Sequence, residues 1–479
     1  MRKIESMGQL RAEYEAARFG DERLSERLVG VVKAVGSSPE KSFPKLASSE
    51  SELEGFYRFF RNERVEPEKI LAPHIARTRQ RALDEDAVSV VHDTTGFSFG
   101  GGGRAEELGR IQSNNAGFFG HFALAVSADG SHLPLGVLGF ETVFRKAKSS
   151  RKLTSHQKRL RKDKESARWA ALVDKAAFEL EGASAVHVMD RDADSYALFW
   201  HMLDRGYRFV VRLSHDRVLA TESSEEPRKV SLSMEETDDV LVREVPLSRR
   251  KGSKLPYSNK RFPPRNGRIA FLHVRAKKLA IQRPIYSDGQ TRKSDSLPAA
   301  LELNVVEVYE KSPPKGEDPV RWTLITNEPI RDPAEVALIV DRYRDRWVIE
   351  EFIKALKTGC AFEKRQLETR HALLNALAVF LPVAYRLLLL KTLPRVAPTA
   401  PAQLLLSHRQ IRILRVLSPT RPLSYEPTLE EVLFAIARLG GHLKQNGPPG
   451  WQTLGDGFVR LLEAIAMHDL IQESGCDQS

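Results

Sequence analysis

The stretch Ala185-Val-His-Val-Met-Asp-Arg-Asp-Ala-Asp194 decides the fold, because a short apolar, β-branched run ends there in a cluster of acids. Residues 185–189 are predicted to form a strand, and helical patterns flank it at about 165–180 and 196–203. Further strand-like runs lie at 87–91, 122–126, 133–140 and 208–213. Three strands followed by alternating helix and strand predict a mixed α/β sheet.

The composition is that of a folded protein with a basic excess. The 479 residues are 41% hydrophobic and 29% charged, which excludes a disordered, collagen-like or disulfide-scaffold chain. With 74 Lys and Arg against 63 Asp and Glu, the net charge is +11, which favours a polyanionic partner over a purely solubilising role. Cys360 and Cys476 lack metal-ligand spacing and fit a reducing cytoplasm. Met1 to Leu10 has no apolar run, so no signal peptide is expected.

Changes in periodicity predict three domains. Residues 1–70 are predicted to form a helical domain, and residues 71–370 an α/β domain with a β-rich insertion at about 215–320. Residues 371–479 are predicted to be helical. Two connecting segments interrupt these patterns, a basic loop at 144–164 and a Pro- and Ser-containing linker near 393–428.

The first domain carries arginines outside its apolar stripes. Asp21 can cap a helix that places Arg23 and Arg27 away from its apolar face. A second capped helix places Arg58 and Arg61 in the same way. These arginines suit contact with nucleic acid, and the alternative is an ordinary solvated surface.

The apolar stretch from Ala372 to Leu390 is nearly long enough to span a membrane. It contains Asn375, Pro382 and Arg386, which would be costly in lipid. A buried amphipathic helix is therefore predicted.

Acids at strand ends are the main chemical signal. Asp93 is predicted to close one strand and Asp190 another, and the carboxyl ends of strands in an open α/β sheet converge on one crevice. Such carboxylates suit hard divalent cations. An EF-hand is excluded, because Ser195 and His201 occupy the positions where that loop needs Gly and Glu. No Walker-type motif is present, and the glycine run 100–103 is weak support for phosphate binding.

A third carboxylate lies in the helical pattern Asp341-Arg-Tyr-Arg-Asp-Arg-Trp-Val-Ile-Glu-Glu-Phe-Ile-Lys-Ala-Leu-Lys357. At about 100° per residue, one face of about 80° carries a phenol, a guanidinium, a carboxylate and two ammonium groups. These residues are Tyr343, Arg346, Glu350, Lys354 and Lys357. A few carboxylates can hold two metal ions for phosphodiester chemistry while cations bind neighbouring phosphates. The alternative is a surface helix with i to i+4 ion pairs.

The sequence resembles the DDE transposases of bacterial cut-and-paste insertion sequences, in the group with a Tyr-Arg-Glu-Lys signature. The most specific match is the block from Tyr343 to Gly359. Other matching stretches are Gly20-Asp21, Glu54 to Asn62, Asp93-Thr-Thr95, Asp190 to Asp194, Phe209 to Arg212, Pro313 to Gly316, Trp322, and Ala435 to Gly441. The match departs at Asp192, where the most similar member of the group has Glu, and in the 144–164 loop, which is more basic here.

The resemblance implies a catalytic and metal-binding triad of Asp93, Asp190 and Glu350, which binds two Mg²⁺ ions that Mn²⁺ can replace. It also implies that four basic side chains and one tyrosine contact DNA near the cleaved transposon end. These residues are Arg212, Tyr343, Arg346, Lys354 and Lys357. Trp322 would receive a flipped base, and the alternative for Trp322 is a core tryptophan.

The resemblance further implies a ribonuclease H-like catalytic core, with the N-terminal helices on the transposon end and a C-terminal dimerisation domain. The expected partners are double-stranded DNA, as transposon inverted ends and target, and a second copy in the DNA complex. Cleavage would pass through a hairpin intermediate. The expected location is the bacterial cytoplasm, at the nucleoid. Two alternatives stay open, a transposase-derived DNA-binding protein without catalysis and a plain metal-dependent nuclease.

Overall fold

The chain has a mixed α/β fold, as the alternating patterns predicted. The computed structural model describes residues 10–99, 108–111, 115–145, 167–220, 228–247, 249–250, 252, 263–284, 297–443 and 449–476. The glycine run 100–103 and nearly all of the basic 144–164 loop lie outside these residues. Its contacts divide the chain into two compact units, the first comprising residues 1–184 with 347–479 and the second residues 185–346. The three domain boundaries drawn from the sequence stay a prediction.

The bounds of the described elements are as follows. The helices are α1 Glu22–Ser37, α2 Phe43–Leu46, α3 Glu50–Arg61, α4 Pro67–Leu83, α5 Ala167–Glu179, α6 Tyr196–Asp204, α7 Val230–Glu235, α8 Pro333–Asp345, α9 Trp347–Lys354, α10 Arg370–Val396, α11 His408–Val416, α12 Leu429–Leu439 and α13 Trp451–Cys476. The strands are β1 Val88–Ser98, β2 Gly109–Arg110, β3 Ala116–Ser127, β4 Pro134–Val143, β5 Ala185–Met189, β6 Arg208–Arg212, β7 Leu241–Leu247, β8 Arg268–Gln282, β9 Ala300–Glu310 and β10 Arg321–Thr326.

In the first unit, β3 lies between antiparallel partners and is covered on both faces. It pairs with β1 on one side and with β4 on the other, and nearly all of its residues are buried. Successive residues of a strand point to opposite faces. His121 therefore faces α5, where its ring centroid is 4.1 Å from that of Trp169, and Phe122 faces α9, where the corresponding distance to Phe352 is 6.1 Å.

β1 is longer than its apolar pattern predicted, and this corrects the position of Asp93. The strand was expected to end at about Val91, where polar residues begin. It instead pairs with β3 from Val88 opposite Ser127 to Ser98 opposite Gly117. Because the ladder bonds are made by the backbone, the pairing continues through the polar residues. Asp93 thus lies in the middle of a strand.

Helix α10 forms the core of the first unit. By length and composition it could cross a membrane, but 83% of its most apolar window is buried inside the protein. The prediction of a buried helix is confirmed, while the amphipathic pattern is wrong, because residues 375–385 are buried without interruption and hence on every face. The Asn375 side-chain nitrogen donates to the carbonyl oxygens of Phe60 and Val65 at 3.0 and 2.9 Å, which satisfies the donor half of this buried amide.

The second unit contains a six-stranded mixed sheet in the order β5-β6-β10-β9-β8-β7. β5 and β6 are parallel and are connected through α6, whereas the other neighbours are antiparallel. Helix α8 packs against β5, β6 and β9. The predicted strands between residues 215 and 320 are present as β7, β8 and β9.

Two glycines allow α12 and α13 to approach closely. A Cβ atom added at Gly457 would lie 1.8 Å from the Ile436 carbonyl oxygen, and one at Gly440 would lie 1.9 Å from the Thr453 carbonyl oxygen. Gly455 in the same helix has open space at this position.

Gly457→Ala is expected to lower the free energy of unfolding by about 1–3 kcal/mol, because the added methyl group forces two backbones apart. Gly455→Ala is the matched control and is expected to be neutral or stabilising by up to about 1 kcal/mol, since alanine has the higher helix propensity. Urea denaturation measures both. Equal effects of the two substitutions would contradict the close crossing.

Candidate active site

Asp93 lies on the face of β1 that α9 covers. It is half-buried, and its Oδ1 accepts a hydrogen bond from the Thr94 amide at 2.7 Å. Phe97 lies four residues on, on the same face of the strand, and its ring is 6.0 Å from that of Phe122. Since α9 packs against β1 and carries Glu350, two of the three predicted acids belong to packed elements of one unit.

His121 supports the backbone at Asp93 from the opposite face of the sheet. Its buried Nδ1 lies 3.1 Å from the Asp93 carbonyl oxygen and 3.0 Å from Thr94 Oγ1. A carbonyl oxygen only accepts, so Nδ1 is the nitrogen that carries the proton. Burial, followed by the charge of Arg168, lowers the pKa of His121 to about 3. A neutral imidazole therefore holds this part of β1.

Glu350 lies in the short helix α9 and is half-buried. The sequence predicted one regular helix from residue 341 to 357, and this is wrong in two places. Helix α8 ends at Asp345 and α9 begins at Trp347, and residues Ala355–Gly359 form a wider π-helical turn. The regular 100° spacing therefore does not hold out to Lys357.

Asp190 follows β5 in the second unit, as predicted. It caps a short 3₁₀ turn, Arg191–Ala193, and its Oδ1 accepts from the Asp192 amide at 2.9 Å. The carboxylate is half-buried and stands at the carboxyl end of a parallel strand. This is the position at which open α/β sheets place their sites.

Asp194 is a structural residue of the same loop. Its side chain is fully buried, and it accepts from the amides of Ser214 and His215 at 2.7 and 2.9 Å and from Arg217 Nε at 3.0 Å. Burial would raise the pKa of Asp194, but Arg217 and these amides lower it below its usual value. The sequence left Asp194 outside the triad, and the choice of triad residues stays a prediction.

The three predicted metal ligands are distributed over both units, Asp93 and Glu350 in the first and Asp190 in the second. In the part of the chain that the structure describes, no group of three or more His, Cys, Asp or Glu side chains is close enough to hold a metal ion. The donor set itself consists of half-buried carboxylates, which are the oxygen ligands that Mg²⁺ prefers. The metal site stays a prediction.

The two predicted lysines differ in their environments. Lys354 is exposed and its ammonium lies 2.9 Å from a Glu351 oxygen. Lys357 donates to the Gly96 carbonyl oxygen, lies 3.7 Å from Glu363 and is 5.3 Å from the centroid of the Phe97 ring. Lys357 therefore also braces the end of β1.

The predicted DNA contacts of the second unit lie around β10 and the end of α8. Trp322 is half-buried in β10, and its ring is 5.7 Å from that of Tyr343, which is buried. Arg346 is also buried. Arg212 is half-buried at the end of β6, where it donates to the Arg321 carbonyl oxygen at 3.1 Å. The structure thus brings Trp322 and Tyr343 together.

Sequence reasoning missed the residues that support these acids. His121 and Glu363 both contact β1, the latter by accepting from the Ser98 amide at 2.8 Å. In the second unit Glu328 binds Arg208 at 2.7 Å and also pairs with Arg342. No local pattern marks such residues, because their partners are 14 to 265 positions away in the chain. The strand pairing of β1 with β3 is the signal that could have identified His121.

Two family models match the chain. Residues 6–65 match the Transposase DNA-binding model, and residues 148–381 match the Transposase DDE domain model. Together they cover more than half of the chain. The DDE match contains Asp190 and Glu350 and begins after Asp93. These matches support a DDE transposase with a DNA-binding segment.

A solved structure also resembles the chain, the cryo-EM structure of the piggyBac transposase synaptic complex with hairpin DNA. The identity is 9%, the TM-score is 0.33, and the alignment covers 94% of this chain and 73% of the other. A resemblance at this score does not define the chemistry of the present chain.

Proposed function

Since this chain is a transposase with DNA-binding and DDE domains, we propose that it cuts DNA at transposon ends and joins the freed ends to target DNA. We assign it to the Tyr-Arg-Glu-Lys group, in which its sequence resembles the transposase of transposon Five. The observation that carries the proposal is the DDE match over residues 148–381, which contains two of the three proposed catalytic acids.

In the proposed site, Asp93, Asp190 and Glu350 would hold two Mg²⁺ ions within a ribonuclease H-like core. Bound Mg²⁺ supplies a more acidic attacking hydroxyl and stabilises the leaving oxygen. The β1, β3 and β4 meander and the parallel pair of β5 and β6 support such a core. His121 holds the backbone at Asp93, and Glu363 holds the end of the same strand at Ser98, which supports the strand that carries this carboxylate.

The proposed reaction consists of phosphodiester exchanges without an external energy source. Water breaks the bond at the 3′ end of the element, and the freed 3′-hydroxyl then attacks the opposite strand to give a hairpin. Hairpin opening and attack on target DNA follow, and each step forms one phosphorus–oxygen bond and breaks another. A homodimer bridging two ends is part of this proposal, as are inverted end sequences in the DNA on either side of the coding region.

End-bearing DNA tests the proposed function directly. The full chain is incubated with Mg²⁺ and a duplex that carries the inverted repeat from beside its coding region, and nicked, hairpin and joined products are separated on gels. Transposition predicts all three products and their loss in EDTA. Cuts without joining would indicate a plain nuclease, and end binding without cuts would indicate a DNA-binding protein without catalysis. Each of these results would overturn the proposal.

The logarithm of the constant for end binding falls linearly with the logarithm of the salt concentration. Lys354→Gln is expected to make this slope shallower by about one, because one phosphate contact is lost. It should leave thermal stability unchanged, since the exposed pair with Glu351 contributes little. Lys278, which is also exposed and lies 2.6 Å from Glu302, provides the matched control. Binding titrations at several salt concentrations measure the slope, and an equal effect of Lys278→Gln would refute a specific contact.

A further inference from the structure

A cavity of about 530 Å³ lies in the helical C-terminal part of the first unit, away from the proposed catalytic acids in the sequence. Its walls come from α12 and from the segments just before and just after it, and they are mainly apolar, including Leu423, Phe434 and Leu443. A volume of this size is typical of sites for small organic ligands.

Two guanidinium groups line this cavity, and neither has a counter-ion among the described residues. Arg421 is exposed and Arg438 is half-buried, and neither has a hydrogen-bond or ion-pair partner among the described residues. Burial, and then the charge of Arg421, lower the pKa of Arg438, as expected when two like charges are neighbours. An anion placed between them would offset this repulsion and accept hydrogen bonds from both.

His442 adds a buried polar atom to the same wall. The residue is 8% exposed, and its Nε2 is buried without a hydrogen-bond partner in the described part of the chain. Its ring centroid is 6.0 Å from that of Phe434. A buried polar nitrogen without a partner is costly, and a ligand that bonds to it removes this cost.

The carboxylates of the cavity are not equivalent. Glu431 is already engaged, since it accepts from the Thr428 amide and the Ser424 hydroxyl, both at 2.8 Å. Arg415 donates to the carbonyl oxygens of Ser424 and Tyr425 at 3.0 Å each, which fixes the segment before α12. Glu430 is exposed and is the carboxylate that would oppose an anion.

We propose that this cavity binds a phosphate ester that carries a flat aromatic group, with a mononucleotide as the simplest ligand of this class. The phosphate would lie between Arg421 and Arg438, and the base would pack on Phe434, with His442 bonding to a polar atom of the ligand. The proposal does not depend on the catalytic function proposed above.

Calorimetric titration of the full chain with deoxyadenosine monophosphate in EDTA tests this site, because EDTA removes binding through metal ions. Saturable one-site binding is expected. Arg421→Gln and Arg438→Gln should each weaken it about tenfold, and Glu430→Gln should strengthen it about two- to threefold. Arg412→Gln is the matched control, since Arg412 is exposed on the neighbouring α11 and does not line the cavity.

Several results would overturn the assignment. These are absence of saturable binding by the wild type, unchanged affinity in both arginine variants, or equal affinity for inorganic phosphate and the nucleotide. Arg421 is exposed, so its variant keeps the test valid even if Arg438→Gln fails to fold. Competition by duplex DNA with 5′-phosphate ends, but not 5′-hydroxyl ends, would identify DNA termini as the source of the ligand. Absence of competition by either duplex would identify free nucleotides as the source of the ligand.

Discussion

Asp93→Asn, Asp190→Asn and Glu350→Gln are each expected to abolish metal-dependent strand cleavage while leaving binding of the transposon ends intact. Each substitution keeps the size of the side chain and removes the charge that a divalent cation needs. Because the proposed site uses the acids together to stabilise the transition state, losing one should slow cleavage by on the order of a thousandfold or more. Single-turnover cleavage and electrophoretic binding assays measure the two properties separately.

Asp192→Asn is the matched control for the three acid variants. Asp192 is exposed and lies two residues from Asp190, to which it contributes a backbone amide and not its carboxylate. It should therefore cleave at a rate close to that of the wild type. Near-normal cleavage by Glu350→Gln, for example, would remove Glu350 from the site without affecting the assignments of Asp93 and Asp190.

Local patterns predicted the second acid better than the first. Asp190 follows a five-residue apolar strand that ends where the pattern ends, because the chain turns there into a 3₁₀ segment. Asp93 lies in a strand that continues through polar residues, since its partner β3 supplies the ladder over the full length. Sequence periodicity reports burial of side chains, whereas strand length here depends on backbone pairing with a distant segment.

The segment from 341 to 357 shows a second limit of periodic reasoning. Its apolar positions were placed correctly, as Ile349 and Phe352 are buried. The interruption at Arg346 and the π-helical turn after Lys354 have no local signal such as proline, so a regular helix was the reasonable expectation. Such a turn is common near functional sites.

Proline and serine content was misleading in the C-terminal part. The predicted linker near 393–428 contains helix α11, His408–Val416, and the last turn of α10. Pro394 lies inside α10 and does not end it. Ser407 forms a capping box with Gln410, so the serine there marks the start of a helix. Tertiary packing of these helices outweighs the local preference for a loop.

A buried ionic network anchors the start of the DNA-binding segment to the rest of the first unit. Glu13 pairs with Arg81, and its second oxygen accepts from His74 Nδ1 at 2.5 Å. His74 Nε2 accepts from the Val137 amide of β4 at 2.9 Å, so this imidazole is neutral. Glu13, His74 and Arg81 are all buried. No sequence pattern indicated this network, because its members lie up to 124 positions apart in the chain.

Glu13→Ala is expected to destabilise the protein by about 3–5 kcal/mol, since it leaves the buried Arg81 guanidinium without its carboxylate. Burial would raise the pKa of Glu13, but His74 and Arg81 lower it from its ordinary 4.5 to about 2. The wild type should therefore lose this stabilisation as the pH falls from about 4.5 to 2, whereas Glu13→Ala should lack that step.

Urea denaturation of both proteins across this pH range tests the two expectations together. Glu15→Ala is the matched control, because Glu15 lies two residues away in an exposed pair with Arg11 at 3.0 Å and should contribute less than about 1 kcal/mol. If the wild type and Glu13→Ala lost stability in parallel as the pH falls, other carboxylates would account for the acid dependence of the free energy of unfolding. Since Glu13 holds the beginning of the matched residues 6–65, Glu13→Ala should also weaken end binding at temperatures where the remaining fold persists.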